Sequence, residues 1–185
     1  MSILLSLSPF AVFFVLMRGH SPMAGLVGAL VVSVLLCLRM RWRGESLKIL
    51  EVGSLVVFAA LTAYTVLARP SWTVATVRLA VDAGLLAIAL VSLAVGRPFT
   101  LQYARERVPE QFWALPVFFT TNRLITTVWA GAFAVLVAAD AAAEYASAVP
   151  LWVDVAASVA AFAGAVWFSR WYPGAVRRRF ATAAP

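Results

Sequence analysis

Cysteine and histidine are almost missing from this chain: Cys37 and His20 are the only ones of their kind. A single cysteine excludes an intrachain disulfide and leaves the redox compartment open. Cys37 lies inside an apolar run, where a thiol acts as a small hydrophobe. A metal site wants several His, Cys or carboxylate ligands at ligand spacing. Arg18, Ser21 and Pro22 supply none around His20, so His20 reads as a loop residue and no metal or cofactor is expected. Charge is scarce too, at 12% of 185 residues, against about 25% in ordinary soluble domains. There is no glycine-rich phosphate loop, and no serine, cysteine or lysine beside a recognisable base. Nothing therefore points to an enzyme.

What is present is apolar. Hydrophobic residues make up 63% of the chain, and the mean hydropathy is +0.92. Such a chain cannot cover its surface with polar groups, so its solvent is lipid. Six apolar runs emerge, over about 3–17, 23–38, 49–68, 75–96, 115–138 and 149–171. They predict a single-domain, all-α, polytopic transmembrane bundle of about six spans. The last four runs reach the length of about 17–25 residues that a span needs. The first two are short, and Arg18, His20 and Pro22 separate them. They read as a tight spanning hairpin, with a shallow re-entrant pair as the alternative. Leu4–Met17 lacks a basic segment before it, and Ser21–Ala24 is a poor cleavage site, so the first run reads as a retained span rather than a signal peptide.

Six spans put both termini on one side, together with Arg39, Arg41, Arg43, Lys48, Arg97, Arg105, Arg107, Arg123, Arg170, Arg177, Arg178 and Arg179. Only Arg18, Arg69 and Arg78 fall on the other. A split of 12 to 3 places the richer side, and both termini, in the cytoplasm. Short basic loops of this kind set topology, and nucleic acid is not an expected partner. Tryptophans near predicted span ends (Trp42, Trp72, Trp113, Trp152, Trp167, Trp171) suit an interfacial belt; Trp129 is mid-span. Small residues at every fourth position let helices approach closely in lipid. They occur at Gly25 and Ala29; at Thr126, Ala130, Ala134 and Ala138; and at Ala156, Ala160 and Gly164, with Ala157, Ala161 and Ala165 beside them. Whether those faces meet within one chain or in a homo-oligomer stays open.

Two places carry candidate chemistry. Asp82 lies about seven residues into the fourth span, and intramembrane carboxylates are costly and often functional. Arg78 sits one turn earlier on the same face, so the two form a candidate intramembrane polar pair. A proton or ion relay and a partner on another helix are the alternatives. Asp140, Glu144 and Asp154 read as features of an outer loop or helix end. The second place is the polar block Arg97–Trp113, read as a cytoplasmic amphipathic segment. Pro98 stops the fourth span. Thr100 is expected as an N-cap, and Leu101, Ala104 and Val108 recur at helical spacing. The expected helix lies on the inner leaflet with Arg105 and Arg107 toward anionic headgroups. Pro109 suits the first position of a new helix, leading into the fifth span with a kink near Pro116. Candidate cytoplasmic contacts are Arg97, Arg105, Glu106, Arg107, Asn122 and Arg123.

Several short motifs resemble the bacterial intracellular septation protein A family. They are Ser8-Pro-Phe-Ala-Val-Phe-Phe14 followed by Gly25-Leu-Val-Gly-Ala-Leu30, and the basic run Leu38-Arg-Met-Arg-Trp-Arg43. Gly96-Arg-Pro-Phe99 follows, and then Phe119, Asn122, Arg123, Trp129, Ala130 and Phe133 in the next span. The resemblance covers most of residues 8–135. It implies a multi-pass inner-membrane protein linked to cell division and envelope integrity, without catalytic residues. The expected partners are the bilayer, anionic headgroups and membrane proteins of the division or envelope machinery. The alternative is a small transporter or channel using Arg78 and Asp82. A lipid enzyme with Glu110, Asn122 and Arg123 lining an inner-leaflet site is a third reading.

Overall fold

The structure, a computed structural model, describes residues 3–19, 21–145 and 151–181. His20, and the side chains of Arg18 and Arg179, lie outside the described residues. All regular structure within them is helical, with no strand.

The first apolar run forms two helices, α1 (Ile3–Ser6) and α2 (Ser8–Gly19), rather than one. Pro9 explains the break. It has no N–H to donate, and its ring clashes with the carbonyl four residues back, so it fits only the first turn of a new helix. α3 (Pro22–Trp42) has Ser21 as a true N-cap, its side chain accepting from the Ala24 N–H at 3.2 Å, with Pro22 at the first position. Gly44, at φ 67°, ends it, and the Glu45 N–H returns to the Met40 carbonyl at 3.0 Å. α4 (Ile49–Ala68) stops where Arg69 turns left-handed before Pro70. α5 (Val74–Ala94) is capped by the Thr73 hydroxyl. A short helix, α6 (Phe99–Arg105), and a 3-10 turn (Glu110–Phe112) fill the polar block. α7 (Pro116–Tyr145) and α8 (Leu151–Ala181) complete the chain.

Five helices, α3, α4, α5, α7 and α8, are long and apolar enough to cross a membrane. The last two exceed their apolar runs. α7, at 30 residues, is about 45 Å long at 1.5 Å per residue, well beyond the roughly 30 Å hydrocarbon core. It begins at Pro116, so that proline starts the helix instead of kinking it.

Consecutive long helices pack against one another, with α7 held between α5 and α8 and α2 laid on α3. Phe10 and Phe13 of α2 meet Phe58 of α4 at ring separations of 5.0 and 6.1 Å. Phe58, Phe99, Trp129 and Phe133 are fully buried. Outward faces carry Val31, Leu35, Val56, Leu67, Val91, Val159 and Trp167, all exposed, a surface that lipid suits and water does not. The small-residue stripes divide. Gly25 is buried against α2, and Ala29 and Ala165 are buried within the bundle, whereas Ala156, Ala160 and Gly164 face outward.

Buried polar residues gather in two layers. One lies where α3, α5 and α8 end and α4 and α7 begin, and is surrounded by exposed arginines (the basic end). The other lies where α5 and α8 begin and α7 ends (the acidic end).

Candidate functional site

At the acidic end, Arg78 is the fifth residue of α5 and Asp82 follows one turn later. The Arg78 guanidinium does not close onto Asp82. Nη2 reaches Asp140 at 2.6 Å and Asp154 at 2.9 Å, so the expected pair within one helix gives way to a clamp joining α5, α7 and α8. The cause is the length of α7: the helix runs past Ala138 to Tyr145 and carries Asp140 inward as a buried residue. Asp154, in the first turn of α8, is equally buried. The Phe14 ring lies 5.8 Å from the guanidinium carbon. Asp82 is 2% exposed, and its Oδ1 accepts no hydrogen bond. One turn beyond Asp140, Glu144 accepts from the hydroxyls of Thr73 and Thr76 at 2.8 and 2.9 Å, tying α7 to the start of α5.

Three carboxylates thus surround one guanidinium. Fully ionised, they would leave two surplus negative charges where burial penalises each of them. Protons or a cation must offset that surplus. No group of three His, Cys, Asp or Glu able to hold a metal ion occurs among the described residues.

At the basic end, Glu51 in the first turn of α4 is 1% exposed and fully engaged. The Ser6 hydroxyl donates to Oε1, and the Tyr103 hydroxyl to Oε2 at 3.0 Å. Burial first, and then the Glu51 carboxylate, push the Tyr103 hydroxyl well above the ordinary phenol range, so it stays a donor. Lys48 lies 4.8 Å over the Tyr103 ring and pairs with Glu106 at 2.6 Å. Partial burial pushes the Glu106 carboxyl up, but the hydrogen bond and charge of Lys48 work against it, and the net position is below the usual carboxylate range. The Gln102 side chain accepts from the Ile49 N–H at 2.7 Å. One buried cluster thereby joins α1, α4 and α6.

That cluster decides the conformation of the polar block. α6 begins two residues earlier than expected. Pro98 takes the cap position without a side-chain bond, and Thr100 falls inside the helix. The Thr100 hydroxyl contacts the Asn122 carbonyl at 2.9 Å and the Thr126 hydroxyl at 2.8 Å, so α6 is bolted to α7 by its buried side, which also holds Phe99 and Tyr103. It is not a helix resting free on a leaflet. Pro109 caps the 3-10 turn and does not start α7. Arg105 lies over the Trp113 ring at 5.2 Å, whose indole N–H donates to the Val108 carbonyl at 2.8 Å. Arg97, Arg107 and Arg123 are exposed; Asn122 is buried and donates to the Phe118 carbonyl at 2.8 Å.

Beside this block a groove of about 1210 Å³ runs between α6 and the C-terminal half of α8, with α7 as its floor. Asn122 lines it, but Arg123 and Glu110 do not. Of the three residues expected to furnish a lipid-enzyme site, only Asn122 therefore faces the groove, and the rest of its lining is chiefly apolar. At its far end the Trp129 indole N–H donates to the Ser169 hydroxyl at 2.9 Å.

The candidate residues thus form two separate sites. Asn122 and Asp140 stand 18 positions apart on α7, about 27 Å along the axis. Asp140 and Asp154 were readable as loop or helix-end acids only. The signal against that reading is Ala138–Ala143, where alanine on both sides of Asp140 favours continued helix. No protein-family model, curated protein or solved structure matches the chain.

Proposed function

We propose that this is a non-enzymatic bacterial inner-membrane protein that acts through contacts at its basic end, which faces the cytoplasm. The resemblance to septation protein A supplies the context, cell division and envelope integrity. The observation that carries the reading is the docked polar block. Buried Thr100, Tyr103 and Glu51 hold α6 in place, while Arg105 and Arg107 remain exposed, Arg107 lining one groove with Arg170 and Arg177. A rigid, basic, outward-facing surface suits acidic partners or headgroups. The reading includes six crossings. Ser6 is bonded at the basic end and Phe14 touches Arg78 at the acidic end, which supports α1 and α2 together passing from one face to the other. The test is the double variant Arg105→Glu/Arg107→Glu. Loss of co-purifying membrane proteins and a division defect are expected; a variant indistinguishable from wild type in both overturns the reading.

A second reading rests on the surplus of carboxylates around Arg78: a small proton-coupled transporter or channel, with Asp82 the residue that exchanges its proton. Asp82 suits that role because, unlike Asp140 and Asp154, it has no ion pair with Arg78. Purified protein in liposomes carrying a pH-sensitive dye should dissipate an imposed proton gradient, and Asp82→Asn should stop it. Absence of wild-type flux removes this reading.

A further inference from the structure

The groove between α6 and α8 has a chemistry of its own. Arg107 lines it from the turn after α6, and Arg170 and Arg177 line it from α8, two turns apart. All three are exposed, and none is in an ion pair among the described residues. No carboxylate lines the groove among the described residues. Three guanidiniums on one concave surface make a positive field that attracts an anion. The rest of the lining is chiefly apolar: Leu4, Phe112, Ile125 and Val166 are examples. The floor runs from Pro116 to Trp129, about 20 Å along α7, compared with roughly 15 Å for the hydrocarbon depth of one leaflet. α8 packs mainly on α7 alone, so the groove opens sideways, toward the surrounding lipid.

We propose that this groove is a specific site for one anionic diacyl glycerophospholipid. Its phosphate sits among Arg107, Arg170 and Arg177, and its chains lie along α7 toward Trp129. Bidentate guanidinium–phosphate hydrogen bonding supplies preference for the head, and the apolar floor supplies retention. The proposal needs only the membrane bundle. It stands or falls separately from the partner reading, because its readout is bound lipid and not a division defect.

The test uses the full chain reconstituted in nanodiscs of equal parts phosphatidylglycerol and phosphatidylethanolamine, then extracted into mild detergent for native mass spectrometry. The wild type should retain one phosphatidylglycerol in clear preference to phosphatidylethanolamine. Arg107→Gln/Arg170→Gln/Arg177→Gln should reduce that preference on the order of a hundredfold, taking each basic side chain at about fivefold. Single Arg170→Gln and Arg177→Gln variants should each show about a fivefold loss, which keeps the test decisive if the triple variant does not fold. Thr121→Trp, placed in the lining, should lower retention of both lipids with helix content unchanged. Equal retention of the two lipids by the wild type, or no loss of preference in the arginine variants, overturns the proposal. So does Thr121→Cys cross-linking to its copy in a second chain, which would make the groove a dimer contact.

Discussion

At the scale of single residues, the two buried clusters differ in how completely their charges are matched. Glu51 has a donor on each oxygen, whereas Asp82 has a free oxygen and shares one arginine with two better-placed acids. Breaking a buried pair leaves an uncompensated charge, and removing a surplus charge does not. Arg78→Gln, which leaves the buried carboxylates without their shared cation, should therefore destabilise the protein by about 3 kcal/mol, read as a fall in thermal midpoint in detergent. Asp82→Asn should be neutral or stabilising, and the reverse order would refute the charge count. Glu106 gives a pH dependence with a definite sign. Its folded-state carboxyl lies below its unfolded value, so its contribution is present above about pH 4–5 and is lost as pH falls through the folded value. Hydrogen exchange of the α6 amides should accelerate on acidification over that range, and Glu106→Gln should abolish the change. Little of this pairing was legible beforehand. Arg78 and Asp82 are one turn apart on α5, and local spacing pointed to each other as partners. The true partners lie 62 and 76 positions away, and interhelical register is not written in local spacing.

At the scale of elements, hydropathy located the long helices well. The runs 49–68 and 75–96 are close to α4 and α5 as observed. It failed where a helix continues without being greasy, at the alanine-rich end of α7 and the basic end of α8, and where Pro9 divides a greasy run. Thr100 shows the same limit: a hydroxyl at the head of a short helix looks like a cap, but burial against Asn122 and Thr126 gives it a different role. The α2–α3 hairpin depends on a close approach at Gly25. A Cβ there would sit 3.0 Å from the Phe13 carbonyl oxygen and 3.0 Å from its ring. Gly164 in α8, by contrast, meets nothing within 4 Å. Gly25→Val should cost about 2 kcal/mol or more by overpacking, whereas Gly164→Ala should add about 0.5–1 kcal/mol through helix propensity. Denaturation in mixed micelles distinguishes them. Equal effects would mean that α2 does not pack on α3 as described.

At the scale of the whole molecule, the charge asymmetry between the two ends orients the bundle. Alkaline phosphatase joined after Ser71, in the turn between α4 and α5, should be active, and the same enzyme joined to the C-terminus should be inactive. A reporter at the N-terminus on the side opposite the C-terminus would refute six crossings. The route by which Ser6 is finally secured bears on biogenesis. Its acceptor Glu51 is made 45 residues after it, and Tyr103, which shares that carboxylate, comes 52 residues later still. At about 5–20 residues per second, α4 waits several seconds after leaving the ribosome with a buried acid only half satisfied. The cluster that secures the N-terminal segment is therefore completed only when α6 arrives. A chain truncated just before α6 should expose its first helix to proteases or to the insertion machinery that the complete chain has already released.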